Sequence, residues 1–313
     1  LAEATIRFSA VLKKYGNKKI GPVTFEVRKG EVMGFLGPNG SGKTTCIRML
    51  LGLIKPSYGS VTIKGLDPLR NHSQALQGVG YSPELPNIQT FLTPEELLRL
   101  VSAELGVESN AVNDEVARIL ELVGLSEYRR VKVGKLSKGM VQRLSLAQAM
   151  VGSPKVLVLD EPMIGIDPAG TAHFRDVFRH FALQGGTILL SSHMMPEVQS
   201  LCDSVTMIHA GKILFSGNIQ DVLKNLLPTT QIIVEAEGLT DECVSKIAGI
   251  DGVLSANKDN GRLEVTVSSK VEVRPTIAET VVGSGGRLLT IKQQENLLEK
   301  VYIESLGRDG NEV

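Results

Sequence analysis

Gly37-Pro38-Asn39-Gly40-Ser41-Gly42-Lys43-Thr44 spells G-x-x-x-x-G-K-[ST], a pattern in which each fixed residue has work to do on a phosphate. Glycines let successive backbone N–H groups curl round an anion with no Cβ in the way. Lys43 brings a mobile positive charge to the outer phosphates, and the Thr44 hydroxyl is placed to ligand Mg²⁺. The run Glu31 to Leu36 (EVMGFL) before the loop is apolar enough for a buried strand, and TCIRMLLGL from Thr45 to Leu53 continues as a helix. The loop therefore opens a helix, with Thr45 in its first turn, where free N–H groups and the helix dipole favour phosphate.

Two further apolar runs end in polar tips. Val156-Leu157-Val158-Leu159 leads into Asp160-Glu161, and Thr187 to Leu190 leads into Ser191-Ser192-His193. Unbroken apolar runs of this length suit parallel strands buried on both faces, whose carboxyl ends carry ligands in open α/β sheets. Asp160 is placed to hold a metal through water, and Glu161 to accept a proton from an attacking water or orient it. Neighbouring residues on a strand face opposite ways, so both can serve one site only if the chain turns at the strand's end. The plainer reading is a pair of capping carboxylates without chemistry. His193 alone could equally be structural.

The sequence Leu136-Ser137-Lys138-Gly139-Met140, lying between the phosphate loop and the carboxylate strand, completes a set that resembles the ATP-binding cassette (ABC) transporter subunits. Their signature is written LSGGQ. The resemblance runs from about Ala4 to Leu226 and keeps five motifs in the family's order. It implies an α/β cassette of the phosphate-loop NTPase class, with a mixed sheet core, an antiparallel β subdomain and a helical subdomain. It also implies that Tyr15 stacks on adenine, that Glu161 is the catalytic base, and that His193 contacts the γ-phosphate. Asp167, in IGID, falls in the loop coupling two sites. Tyr15 could instead be a surface tyrosine, and Asp167 before Pro168 is a good helix cap.

Ser137 reads as the N-cap of a helix on which Leu144, Ala147 and Met150 recur at helical spacing, which makes Ser137 and Gly139 a second anion site. The resemblance implies that this site faces the phosphate loop of a second copy, so that ATP is held between two chains. Three positions depart from the family pattern. Lys138 replaces a glycine, Met140 replaces the signature glutamine, and Glu84 stands where a glutamine contacts Mg²⁺. These departures resemble the branch with ABC-2-type membrane partners, many of them exporters. A MgATP-hydrolysing subunit, peripheral on the cytosolic face of the membrane, follows as the expectation. The alternatives are a non-transport relative acting on nucleic acid or the ribosome, and a nucleotide sensor without turnover.

The remainder of the chain must position these groups. It has 313 residues, 34 basic and 34 acidic, a length that suggests about two domains. Residues 229–313 carry 9 basic against 14 acidic residues. Neither part has the basic stripe of a nucleic-acid binder, so no nucleic-acid partner is expected. Cys46, Cys202 and Cys243 are far apart, which predicts reduced thiols without zinc. No apolar run approaches 18 residues and no leader-type start is present, so a membrane role must come through a separate subunit. The chain opens on Leu1, which predicts a native start that is missing or processed.

The pattern predicts a cassette over residues 1–228, with a helical subdomain at about 85–150 that opens at Thr93-Pro94-Glu95-Glu96 and continues with a helix from Asp114 to Val123. Short strands are expected at TIRFSAVL and VTFEVR around a Tyr15-Gly16-Asn17 turn, another at Ser60 to Lys64, and a hairpin across His209-Ala210-Gly211. After Pro228 the order strand, helix, strand, strand, helix, strand and a closing helix predicts an α+β ferredoxin-like domain at 229–313, with a turn at Asp259-Asn260-Gly261. Dimer contact or regulation is its expected use, unless it merely stabilises the chain.

Overall fold

All 16 residues of three inner strands of one sheet, the neighbours β6 (Val156–Asp160), β7 (Thr187–Ser192) and β3 (Val32–Leu36), are buried. This follows from their composition, because a strand covered on both faces has no polar side to show. The structure is a computed structural model that describes residues 4–16, 18–227, 229–259, 262–268, 271–293 and 297–309. Asn17, Pro228, Asn260 and Gly261, named in the expected turns and boundary, lie outside the described residues. With β5 (Val79–Ser82), β8 (Ser204–His209) and β9 (Lys212–Asn218) the sheet runs β5-β6-β7-β3-β8-β9. The pairings from β5 through β8 are parallel, which brings the ends of β3, β6 and β7 to one edge. Helices α1 (Lys43–Leu50), α5 (Lys138–Met150), α6 (Pro168–Leu183) and α7 (Met195–Leu201) pack on this sheet.

A second sheet, β2-β1-β4, is antiparallel. Its strands are longer than the sequence pattern suggested: β1 spans Ala4–Tyr15 and β2 spans Lys18–Arg28, while β4 spans Tyr58–Ile63. The register of β1 shifts between Phe8 and Val11, and Ala10 there has φ 47°. Such a bulge breaks the period-two alternation that marks a strand in sequence, yet pairing continues beyond it. Phe8 stacks on Phe25 at 4.5 Å and Phe25 on Phe35 at 5.2 Å, so aromatic rings join this sheet to β3.

Between β4 and β6 lie α2 (His72–Leu76), β5, α3 (Pro94–Glu104), α4 (Val112–Leu122) and α5. Thr93 and Glu96 form a capping box at the start of α3: Glu96 N–H donates to Thr93 Oγ1 at 3.2 Å, and Thr93 N–H to Glu96 Oε2 at 2.8 Å. Glu95 in the same turn accepts from Arg129 and Arg99, at 3.0–3.4 Å. The Arg129 guanidinium, then that of Arg99, holds its carboxyl at about 2, against an ordinary 4.5. A lowered carboxyl pKa contributes stability above about pH 4.5 that is lost as pH falls toward 2. Glu95→Gln is therefore expected to lower Tm by about 3 °C at neutral pH, with the gap to the parent closing below pH 4.5. Calorimetric melts at pH 7 and pH 3 check this, and an equal gap at both would refute it.

The chain divides into two compact units, Leu1–Gly217 and Asn218–Val313. The second contains α8 (Ile219–Leu226), β10 (Thr229–Glu237), α9 (Asp241–Ala248), β11 (Val253–Asp259), β12 (Arg262–Ser268), α10 (Arg274–Gly283), β13 (Arg287–Gln293) and α11 (Leu297–Asp309). Its antiparallel sheet runs β11-β12-β10-β13. With α9 and α10 as the two connections this is the ferredoxin-like order. Ile232, Val234, Leu263 and Val265 meet Ile247, Ile277 and Val281 in its core. The division falls at Gly217, ahead of the sequence-based boundary after Pro228, because α8 packs on α11. That contact between distant segments leaves no local mark in the sequence.

Candidate functional site

The glycine-rich loop joins β3 to α1, and its shape depends on two residues with left-handed backbone, Gly40 at φ 78° and Gly42 at φ 117°. Gly42 is also the N-cap of α1, and no side chain caps that helix. The N–H groups of its first turn are therefore not used up by a neighbouring side chain, as an anion site requires. Lys43 is buried. Its ammonium donates to the Gly37 carbonyl at 2.7 Å and lies 3.1 Å from Glu161 Oε1. The loop forms one wall of a cavity of about 310 Å³, lined also by Lys18, Thr44, Thr45, Glu84 and Glu161. That volume lies within the range of small-ligand sites.

Asp160 and Glu161 reach one region because the strand ends in a turn. Glu161 has φ 50°, a left-handed conformation that costs a non-glycine residue about 1–2 kcal/mol. Its N–H donates to Ser191 Oγ at 2.9 Å, and the same hydroxyl donates to Asp160 Oδ1. Asp160 and Ser191 sit opposite one another across β6 and β7. His193, just past β7, places Nδ1 2.9 Å from Glu161 Oε2. An ionised carboxylate only accepts, so Nδ1 carries the proton. Glu161 thus bridges Lys43 on the phosphate loop and His193 on the adjacent strand end. Its side chain and that of Lys43 are each only 6% exposed, so the pair is little screened by water.

Ser137 caps α5, accepting from Met140 N–H at 3.2 Å. A Cβ on Gly139 would stand 2.7 Å from the Gly165 carbonyl, so only glycine allows the helix start to approach the segment leading to Asp167 this closely. Asp167 caps α6, accepting from Gly170 N–H at 2.7 Å, and lies 3.6 Å from an Arg143 nitrogen. Ser137, Gly139, Met140, Arg143 and Asp167 line a second cavity of about 340 Å³. It shares no lining residue with the phosphate-loop cavity. One chain therefore presents two separate cavities.

A family profile described as ABC transporter matches residues 20–164. The uncharacterized ABC transporter ATP-binding protein YdbJ of Bacillus subtilis (strain 168) is 33% identical over 307 residues, 97% of this chain and 96% of its own length. The chain belongs to the ABC transporter family. It is an ATP-binding subunit of that family, and hence an ATPase. The Nod factor export ATP-binding protein I of Burkholderia orbicola (strain AU 1054) is 39% identical over 219 residues, 69% of this chain and 72% of its own length. A solved ATP binding subunit of an ABC transporter matches at a TM-score of 0.66 and 27% identity, over 71% of this chain and 92% of that one.

Within this ABC subunit, Asn39, Gly40, Gly42, Lys43, Thr44, Thr45, Glu84 and Glu161 meet around one cavity, which Gly37, Pro38 and Ser41 do not line, while Ser137, Gly139 and Asp167 meet around the other. Asp160 is buried, does not line the first cavity, and accepts a hydrogen bond from Ser191. Tyr15, at the end of β1, is 43% exposed, with the Lys13 ammonium 5.1 Å from its ring centroid. Its cross-strand partner Lys18 lines the phosphate cavity. Sequence reasoning missed Lys18 because a lysine beside a turn has no motif of its own. Its place opposite the aromatic was the available signal. Lys138 is accommodated with its aliphatic stem beside Gly165. Among the described residues no helix is long and apolar enough to cross a membrane.

Proposed function

We propose that two copies of this chain clasp two MgATP molecules head to tail, each between the phosphate loop of one copy and the Ser137–Gly139 cap of the other. The observation that carries this reading is the presence of two unshared cavities, one with a loop and a carboxylate, the other with a capped helix start. A two-fold, isologous pairing, in which the loop of each copy meets the cap of the other, generates two identical composite sites. Closure on ATP and release after hydrolysis give the differential affinity needed to drive a partner between two states. The partner is an integral membrane subunit of ABC-2 type, and the ATPase sits on the cytosolic face of the membrane. The Nod factor export relative supports export as the direction.

The cavity fits a metal-bound triphosphate. It combines an uncapped helix start and a lysine with the Glu84 carboxylate and the Thr44 hydroxyl. Thr44, Asp160 through water, and Glu84 would hold Mg²⁺, which when bound neutralises charge on the phosphate oxygens. Glu161 accepts the proton of the attacking water, His193 contacts the γ-phosphate, Tyr15 stacks on adenine, and Asp167 couples the two sites. The Ser137 arm is tested by complementation. Ser137→Arg is expected to leave ATP affinity unchanged while lowering hydrolysis about 10²-fold, since its own loop is intact. Mixing it with Lys43→Ala should restore activity, because a mixed pair holds one undamaged composite site. Calorimetry and phosphate release check both, and a mixture as inactive as its components would refute the shared site.

A further inference from the structure

We infer that Ser191 is a positioning residue that sets Asp160 and Glu161 together through a single hydroxyl. Ser191 is fully buried at the second-last position of β7, directly opposite Asp160 in the parallel register. Its Oγ–H donates to Asp160 Oδ1, and its oxygen accepts the Glu161 N–H at 2.9 Å. A hydroxyl has one proton to give, and here it goes to the metal-side carboxylate. That leaves the other Asp160 oxygen as the one that would serve the metal in the role proposed above. The acceptor side pins the amide of the residue whose left-handed backbone redirects its side chain. Without that anchor Glu161 would relax toward extended backbone, which turns its carboxylate to the opposite face of the sheet.

The consequence reaches His193 as well. Two residues beyond Ser191 on the same segment, its Nδ1 meets Glu161 Oε2 at 2.9 Å. Carboxylate, base and histidine are thereby tied to one strand end, and misplacement of a reacting group by about 1 Å costs about 10²-fold in rate. Ser191 itself lines neither cavity, so it acts through the two acids. The inference rests on the roles given above to Asp160 and Glu161.

Three variants test it: Ser191→Ala, Ser191→Cys and Ser191→Thr. Ala removes the hydroxyl, Cys keeps the volume with a weak donor, and Thr keeps the hydroxyl. Ala and Cys are expected to lower kcat at least tenfold, with calorimetric ATP affinity within threefold of the parent. Thr should retain at least a third of the parent kcat. Hydrogen exchange, read by mass spectrometry across residues 159–163, should show the Glu161 amide exchanging at least tenfold faster in Ala and Cys but not in Thr. If the Ala variant does not fold, Cys carries the comparison. A kcat loss below tenfold with the hydroxyl gone, unchanged exchange at Glu161, or equal loss in Thr and Cys each overturns the inference. If Glu161→Gln itself hydrolyses at the parent rate, the role of Glu161 fails instead, and the exchange result still reports on Ser191.

Discussion

Glu161→Gln is expected to bind ATP and to lower its hydrolysis by about 10³-fold, within the range for loss of a general base. The amide keeps an oxygen where Glu161 now faces Lys43 and His193, so the shape of the site survives. The capacity to take a proton does not. Removing the carboxylate charge also releases the Lys43 ammonium from its 3.1 Å partner, and that positive charge becomes available to phosphate. ATP affinity should therefore hold or rise, and the ATP-bound pair of chains should accumulate because the step that parts them is blocked. Single-turnover phosphate release, calorimetry and light scattering read the three effects separately. Monomer alone with MgATP would refute the clasp, and a parent-like rate would remove Glu161 from the chemistry.

Lys43→Ala is expected to abolish measurable ATP binding and also to destabilise the cassette by about 3 kcal/mol, because it strands a buried carboxylate without its cation. Both side chains of the pair are 6% exposed, so water compensates little. The two effects have different causes and can be separated. Adding Glu161→Gln to Lys43→Ala removes the stranded charge and should recover most of the lost stability, while ATP binding stays absent. A double-variant cycle of denaturant midpoints measures the coupling. Additive losses would mean that the ion pair contributes nothing to the folded cassette. Wild-type affinity in the single variant would mean that the loop does not hold phosphate.

The local signals were legible because they are repeated at several levels. The apolar runs Glu31 to Leu36, Val156 to Leu159 and Thr187 to Leu190 fall at β3, β6 and β7, and Thr93, Ser137 and Asp167 all cap helices in the structure. Caps are readable because the bond runs between residues three apart. Other elements were hidden. β5 is only four residues long, VGYS, and its Gly80 is needed where α5 crosses, since a Cβ there would come within 1.9 Å of the Ala149 carbonyl. Glycine and serine are weak strand formers, so close packing and not propensity makes this a strand. The full extents of β1 and β2 were masked by the bulge near Ala10, and the 16-residue helix α6 showed only its cap.

By itself the sequence determined the phosphate chemistry, through a loop whose spacing leaves little else to do, and the order of the elements that carry it. The β-α-β-β-α-β order of the tail was also legible there, since each short period of apolar residues is a local property. Tertiary structure alone decided three things: that Glu161 turns back toward Lys43 and His193, that Ser191 bonds both acids, and that the Ser137 cap and the phosphate loop line different cavities. Each is a relation between segments tens of residues apart. Such contacts arise only when strands pair in register, and no local pattern of residue types encodes them.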